Sequence, residues 1–150
     1  MADDAVMTRI GQAVMLHRGG DREEARRRLA ALWAQLDARA PALHRCTLAH
    51  FLAGTQEDPD DRLAWDLRAL HAATGGHGPE DRAVRAFYPS LHLSLAADYV
   101  RLRRPEHARR ALERARDTAA GLGDDAYGRC VRAAIDRLGP AVSGAGGQPP

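Results

Sequence analysis

Apolar residues recur at helical spacing from one end of the chain to the other, in blocks of roughly three to four turns separated by short polar or glycine-containing breaks. Val6, Ile10, Ala13, Val14 and Leu16 lie on one face of a helix predicted from Asp4 to His17, after acidic residues that favour a helix start. Gly19-Gly20 ends it. Asp21 is the predicted cap of the next helix, with Glu24 in capping-box position and Ala25, Leu29, Leu32, Trp33 and Leu36 as its buried stripe. After Pro41, Leu43, Thr47, Leu48, Phe51 and Leu52 face inward until Gly54 and the polar Thr55 to Asp58 interrupt them. A return helix is predicted from Asp58-Pro59, with Leu63, Trp65, Leu67 and Leu70 as its apolar contacts, ending by Gly75-Gly76.

The segment Gly75 to Pro79 is the clearest predicted loop. Helix resumes from Glu80 through Ala83, Val84 and Phe87, with a kink or short break expected at Tyr88-Pro89. It continues through Leu91, Leu95, Ala96, Tyr99 and Leu102. A partner helix is predicted from about Pro105 to Ala120, and a last one from Asp124 to Leu138 containing Tyr127, Cys130, Val131, Ile135 and Leu138. The Gly, Pro and Ala-rich stretch 139–150 is expected to be a disordered tail. Nothing alternates with period two over more than a few residues, so the fold class is all-α with about seven helices.

The return helices share a spacing of four and three: Ala25, Leu29 and Leu32; Leu63, Leu67 and Leu70; Ala108, Leu112 and Ala115. Small residues, Ala13, Ala49 and Ala96, stand upstream of each where two helices would cross closely. This pattern resembles the tetratricopeptide (TPR) repeat, a helix-turn-helix unit of about 34 residues. The resemblance divides residues 1–138 of one domain into units of about 6–39, 42–74 and 89–122, closed by a helix over 124–138. It implies antiparallel helix pairs stacked in a right-handed α-solenoid, with a C-terminal capping helix. The third unit fits best. The first has Gln12 where a large apolar residue is usual, the second has a longer turn, and Glu80 to Tyr88 is extra.

In TPR proteins the first helix of each pair lines a concave groove. The resemblance therefore implies a partner-binding face of Met7, Ile10, Val14, His17 and Arg18, then Leu43, Cys46 and His50, then Ser90, Leu93, Ala97 and Arg101. Such a face is mostly apolar and suits docking of an apolar helix, a peptide or a second copy, unless the Glu80 to Tyr88 segment fills it. The expected function is a non-catalytic adaptor or scaffold, with no cofactor, and self-association as a homodimer. The family's carboxylate clamp of lysine and asparagine is not present, because the chain contains neither residue.

Composition changes this picture little. Every one of the 22 basic residues is arginine, a bias that suits a GC-rich genome and weakens arginine as a sign of phosphate recognition. A net charge of +2, with acids interleaved nearly throughout, disfavours nucleic acid as a partner. No segment has the length and apolarity of a membrane span, and the N-terminus lacks a signal-type apolar run, which leads to an expectation of a cytoplasmic protein without membrane contact. Cys46 and Cys130 are expected to be reduced, buried thiols.

Two other chemistries can be drawn. Cys46 and His50 are four apart on one helical face, and with His92 they suggest a metal or small-molecule site, although His/Cys pairs at this spacing arise readily by chance among seven histidines. Arg101, Arg103, Arg104, Arg109, Arg110, Arg114 and Arg116 form the densest basic region, a patch for an acidic partner or nucleic acid, or else a solvated face with pairs such as Glu106 to Arg110. Trp33 and Trp65 occupy similar places in successive return helices, which suits packing between repeats.

Overall fold

The helices form where the apolar spacing predicts them. The computed structural model describes residues 2–37, 39–75 and 82–147, which hold seven helices and no strand. The order is α1 Ala2–Arg18, α2 Arg22–Gln35, α3 Ala42–Thr55, α4 Pro59–Thr74, α5 Arg82–Arg101, α6 Pro105–Ala119 and α7 Ala126–Gly147. The loop expected after Gly75, and Glu80 with it, lie outside the described residues.

Local chemistry sets the ends of these helices. Asp21 caps α2 by accepting from the Glu24 N–H at 3.3 Å, and Asp58 caps α4 by accepting from the Asp60 N–H at 2.8 Å, with Pro59 in the first turn. α1 closes on Gly20, whose φ of +97° suits glycine. There the Asp21 N–H donates to the Leu16 carbonyl and the Gly20 N–H to the His17 carbonyl, the paired bonds of a Schellman turn. α5 closes by the same pair of bonds, Arg104 to Tyr99 and Arg103 to Val100, but here the left-handed residue is Arg103, with φ +58°.

The chain divides into two compact units, Met1–His77 and Gly78–Pro150, where the sequence predicts a single domain over 1–138. In the first unit α1 packs on α2 and α3, α2 on α3, and α3 on α4. Its core is Ile10, Ala13, Leu29, Leu32, Leu48 and Leu52, with Val6, Val14, Trp33, Leu36, Phe51 and Trp65 packed around it. Each large aliphatic side chain fully buried there contributes about 1.5–3 kcal/mol relative to exposure. In the second unit α5, α6 and α7 pack on one another, burying Val84, Leu91, Leu95, Ala108, Leu112, Ala115, Val131 and Ile135.

Gly128 allows α7 to start close to the turn before it. A Cβ at this position would stand 2.2 Å from the Gly123 carbonyl oxygen, so any side chain would displace the turn. The Asp125 carboxylate accepts from the Gly128 N–H at 2.8 Å, and Arg132 reaches back to the Leu122 carbonyl at 2.7 Å.

Four expectations are corrected by these helices. Pro89 is buried inside one helix, α5, so there is no break at Tyr88-Pro89, and residues from Arg82 to Tyr88 are the first turns of α5 instead of a separate segment. α7 continues past Leu138 to Gly147, with Val142 buried, where a disordered tail was predicted; residues 148–150 lie outside the described residues. Leu67 is 43% exposed, and the buried line of α4 is Leu63, Asp66, Ala69 and Ala73. Cys130 is exposed and only Cys46 is buried.

Candidate functional site

α1 and α3 enclose an open apolar groove in the first unit. Met7, Thr8, Ile10, Gly11, Gln12, Val14, Met15 and Arg18 line it from α1, and Thr47 and Phe51 from α3. Its cavity measures about 480 Å³. Helical periodicity explains the α1 wall, because positions 7, 11, 15 and 18 follow one line along the helix while Ile10 and Ala13 turn inward. Met15 is 73% exposed and Met7 is 37% exposed, which is unusual for methionines of a small folded unit. A Cβ built on Gly11 meets nothing within 4 Å, so the groove is open beside it. Arg18 is the charged side chain of the lining.

The predicted partner-binding residues divide among several environments. Met7, Ile10, Val14 and Arg18 share the groove, although Ile10, 2% exposed, is chiefly core. His17 leans on α3, with its Cε1 3.8 Å from where a Cβ on Gly54 would stand. Leu43 is half-buried, and Cys46 is fully buried with its Sγ 3.5 Å from the Leu43 carbonyl, so the thiol is not a surface group. His50 is half-buried, with Nδ1 3.8 Å from Asp66 Oδ1 and its ring 5.2 Å from that of Phe51. Ser90, Leu93, Ala97 and Arg101 belong to the second unit. Ser90 is engaged there with the Tyr127 hydroxyl at 2.7 Å, Leu93 and Ala97 are half-buried, and Arg101 pairs with the buried Asp98 at 3.3 Å.

The alternative sites also change. Cys46 and His50 share α3, but His92 belongs to the other unit, buried on α5. Burial holds the His92 imidazole below the ordinary histidine range, and the nearby Arg114 guanidinium adds to the effect. Among the described residues no three His, Cys, Asp or Glu side chains gather in a way that holds a metal ion. On α6, Arg109, Arg110, Arg114 and Arg116 are exposed opposite the buried Ala108, Ala111, Leu112 and Ala115, and Glu106 pairs with Arg109 at 2.8 Å instead of with Arg110. This is the arrangement of a solvated amphipathic helix.

A second concavity was not predicted. It is a cleft of about 800 Å³, also within the first unit, lined by Trp33, Arg39, Ala40, Ala42, Arg45, Ala64, Leu67, Arg68, His71, Ala72 and Gly75. Trp33 stands edge-on to Trp65 at 5.2 Å and 89°, and the Arg68 guanidinium lies 4.4 Å above the Trp65 ring. The signal that was available is Arg45 and Arg68, neither with an acid three or four residues away, and Arg39 in the turn between α2 and α3.

Compared with known proteins, the chain matches no family model, no curated protein and no solved structure. Among the described residues no helix is long and apolar enough to cross a membrane.

Proposed function

We propose that this chain is a non-catalytic protein–protein interaction module, TPR-like in its helix pairing, that takes a helix along the α1–α3 groove. The observation that carries this reading is the groove itself, where methionines that folding does not require to be exposed flank a bare glycine. Methionine adapts its shape to an apolar partner, and a glycine between two such residues allows a partner backbone to approach closely. The burial of Ala13 and Ala96, and of the lines Ala25-Leu29-Leu32 and Ala108-Leu112-Ala115, supports the repeat reading in the first and third pairs, and the burial of Ala49 supports it in the second. The exposure of Leu67 weakens it in the second.

The occupant is α1 of a second copy. Met7, Gly11 and Met15 are spaced four apart and are symmetrical about Gly11. Two α1 helices running in opposite directions across a two-fold axis at Gly11 therefore set Met7 of one copy against Met15 of the other, a self-complementary contact of the kind homodimers use. Phe51 forms the opposite wall of the groove. Cysteine crosslinking tests the axis in a Cys130→Ala background. Gly11→Cys should oxidise rapidly to a covalent dimer, while Arg9→Cys, exposed on α1 but outside the groove lining, should not. Equal crosslinking of the two variants would overturn the proposed axis.

A further inference from the structure

The Trp33 cleft combines features that the interaction reading does not use. The arginines of α2 are paired with carboxylates: Arg22 with Glu57 at 2.8 Å, Arg28 with Glu24 at 3.1 Å, Arg27 with Glu24 at 3.4 Å, and Arg26 with Glu23. The guanidinium groups of Arg39, Arg45 and Arg68, in contrast, form no ion pair within 4.0 Å among the described residues, and no acidic side chain lines the cleft; the Asp37 carboxylate beside it accepts from the Arg39 backbone N–H at 2.8 Å. Three uncompensated guanidinium groups around one concavity with apolar walls concentrate positive potential inside it.

Two of these groups are held in place without being neutralised. Arg45 donates from Nη2 to the Asp37 backbone carbonyl, and Arg68 lies on the Trp65 ring. A guanidinium fixed by one bond or one ring face keeps its remaining N–H donors for a planar anion and loses little freedom on binding. Apart from His71, the rest of the lining is apolar. Trp33, half-buried and held by Trp65, and Leu67, left 43% exposed by the register of α4, face an interior floored by alanines. A volume of about 800 Å³ falls in the range of small-molecule sites and is far more than one phosphate fills.

We propose that the cleft between Trp33 and Arg68 binds a small ligand that joins two or more negative charges to a flat apolar ring, the chemistry of a nucleoside diphosphate. The three arginines take the charged end, where about three positive charges match a diphosphate better than a single carboxylate. Trp33 and Leu67 take the ring. This explains why a leucine at a position predicted to be core stands in the open: it is a wall of the cleft and not part of the α4 core.

Titration calorimetry on the full chain at physiological salt tests the proposal, with ADP as the probe and pyrophosphate, adenosine and a single-stranded oligonucleotide as comparisons. ADP should bind and should quench tryptophan fluorescence, with pyrophosphate and adenosine each at least about tenfold weaker. Arg68→Gln and Arg39→Gln should each weaken ADP about tenfold or more, the loss of a hydrogen bond to a charged group. Arg26→Gln, which removes a guanidinium outside the cleft, should leave binding unchanged. Absence of ADP binding at millimolar concentration overturns the proposal. So does pyrophosphate binding as tightly as ADP, an oligonucleotide binding more tightly than ADP, or an equal loss in Arg26→Gln, each of which replaces a built pocket with general electrostatic attraction.

Discussion

His92 shows how one residue changes meaning between sequence and structure. The sequence groups it with the Cys46–His50 pair as a ligand, but the side chain is 8% exposed within the helical core of the second unit, and burial, with Arg114, holds its imidazole below the ordinary histidine range. The unfolded chain binds a proton at this group near the usual histidine value of about 6.5, whereas the folded chain resists it to lower pH. The unfolded state therefore holds more protons in that window, and stability falls as pH drops below about 6.5. Urea unfolding of the wild-type chain should show a lower midpoint at about pH 5 than at about pH 7, and His92→Leu should flatten that difference. An unchanged pH slope in the variant would assign the effect to other groups. Cys46 makes the same point without titration, because i, i+4 spacing with His50 places the two on one helical face but cannot show that the face is turned into the core.

At the scale of elements, most of the secondary structure was legible because apolar periodicity and caps agree. Asp21, Asp58-Pro59 and Gly20 mark helix ends that the structure reproduces. The failures have local causes. Pro89 predicts a kink or a short break because proline removes a hydrogen bond, and of the two the break does not occur: α5 runs on where the surrounding core buries the ring. Residues from Gly139 onward predict disorder by composition, yet Val142 is buried and Gly139 lies close to Arg116 of α6, so packing continues the helix that propensity would end. Leu67 obeys the spacing of a repeat but not the face that α4 buries, which runs through Asp66, Ala69 and Ala73. The turn after α5 supplies a direct test of backbone strain. It has the same bonds as the turn after α1 but uses Arg103 at φ +58° where α1 uses glycine. The left-handed conformation costs an L-residue about 1–2 kcal/mol, partly offset by the greater freedom glycine has when unfolded. Arg103→Gly should therefore raise stability by about 0.5–1 kcal/mol in thermal unfolding, and Arg103→Val should lower it. A lower melting temperature in Arg103→Gly would show that the arginine side chain contributes more than its backbone strain costs.

At the scale of the whole molecule, sequence and structure agree on an all-helical chain and differ on its division. Three similar helix pairs suggest one continuous array, whereas the seven helices of the described residues gather into units of four and three. The sequence pattern could not foresee this, because periodicity reports which face of a helix is buried and not which neighbour covers it. For the candidate site the same limit applied. Of the predicted residues, Met7, Ile10, Val14 and Arg18 line the groove, Cys46 is buried and Leu43 and His50 are half-buried on α3, and the last four belong to the second unit. The Trp33 cleft was missed because its residues come from the end of α2, the turn after it, the start of α3 and α4, which no single helical wheel brings together. The central claim is that α1 of one copy is the helix that the α1–α3 groove receives, and the molar mass in solution tests it most directly. Light scattering on the full chain at tens of micromolar should give twice the 16.3 kDa of one chain, and Met15→Glu, which places a charge in the proposed contact, should return it to the monomer mass. A monomer mass for the wild-type chain, or a dimer that Met15→Glu leaves intact, would contradict it.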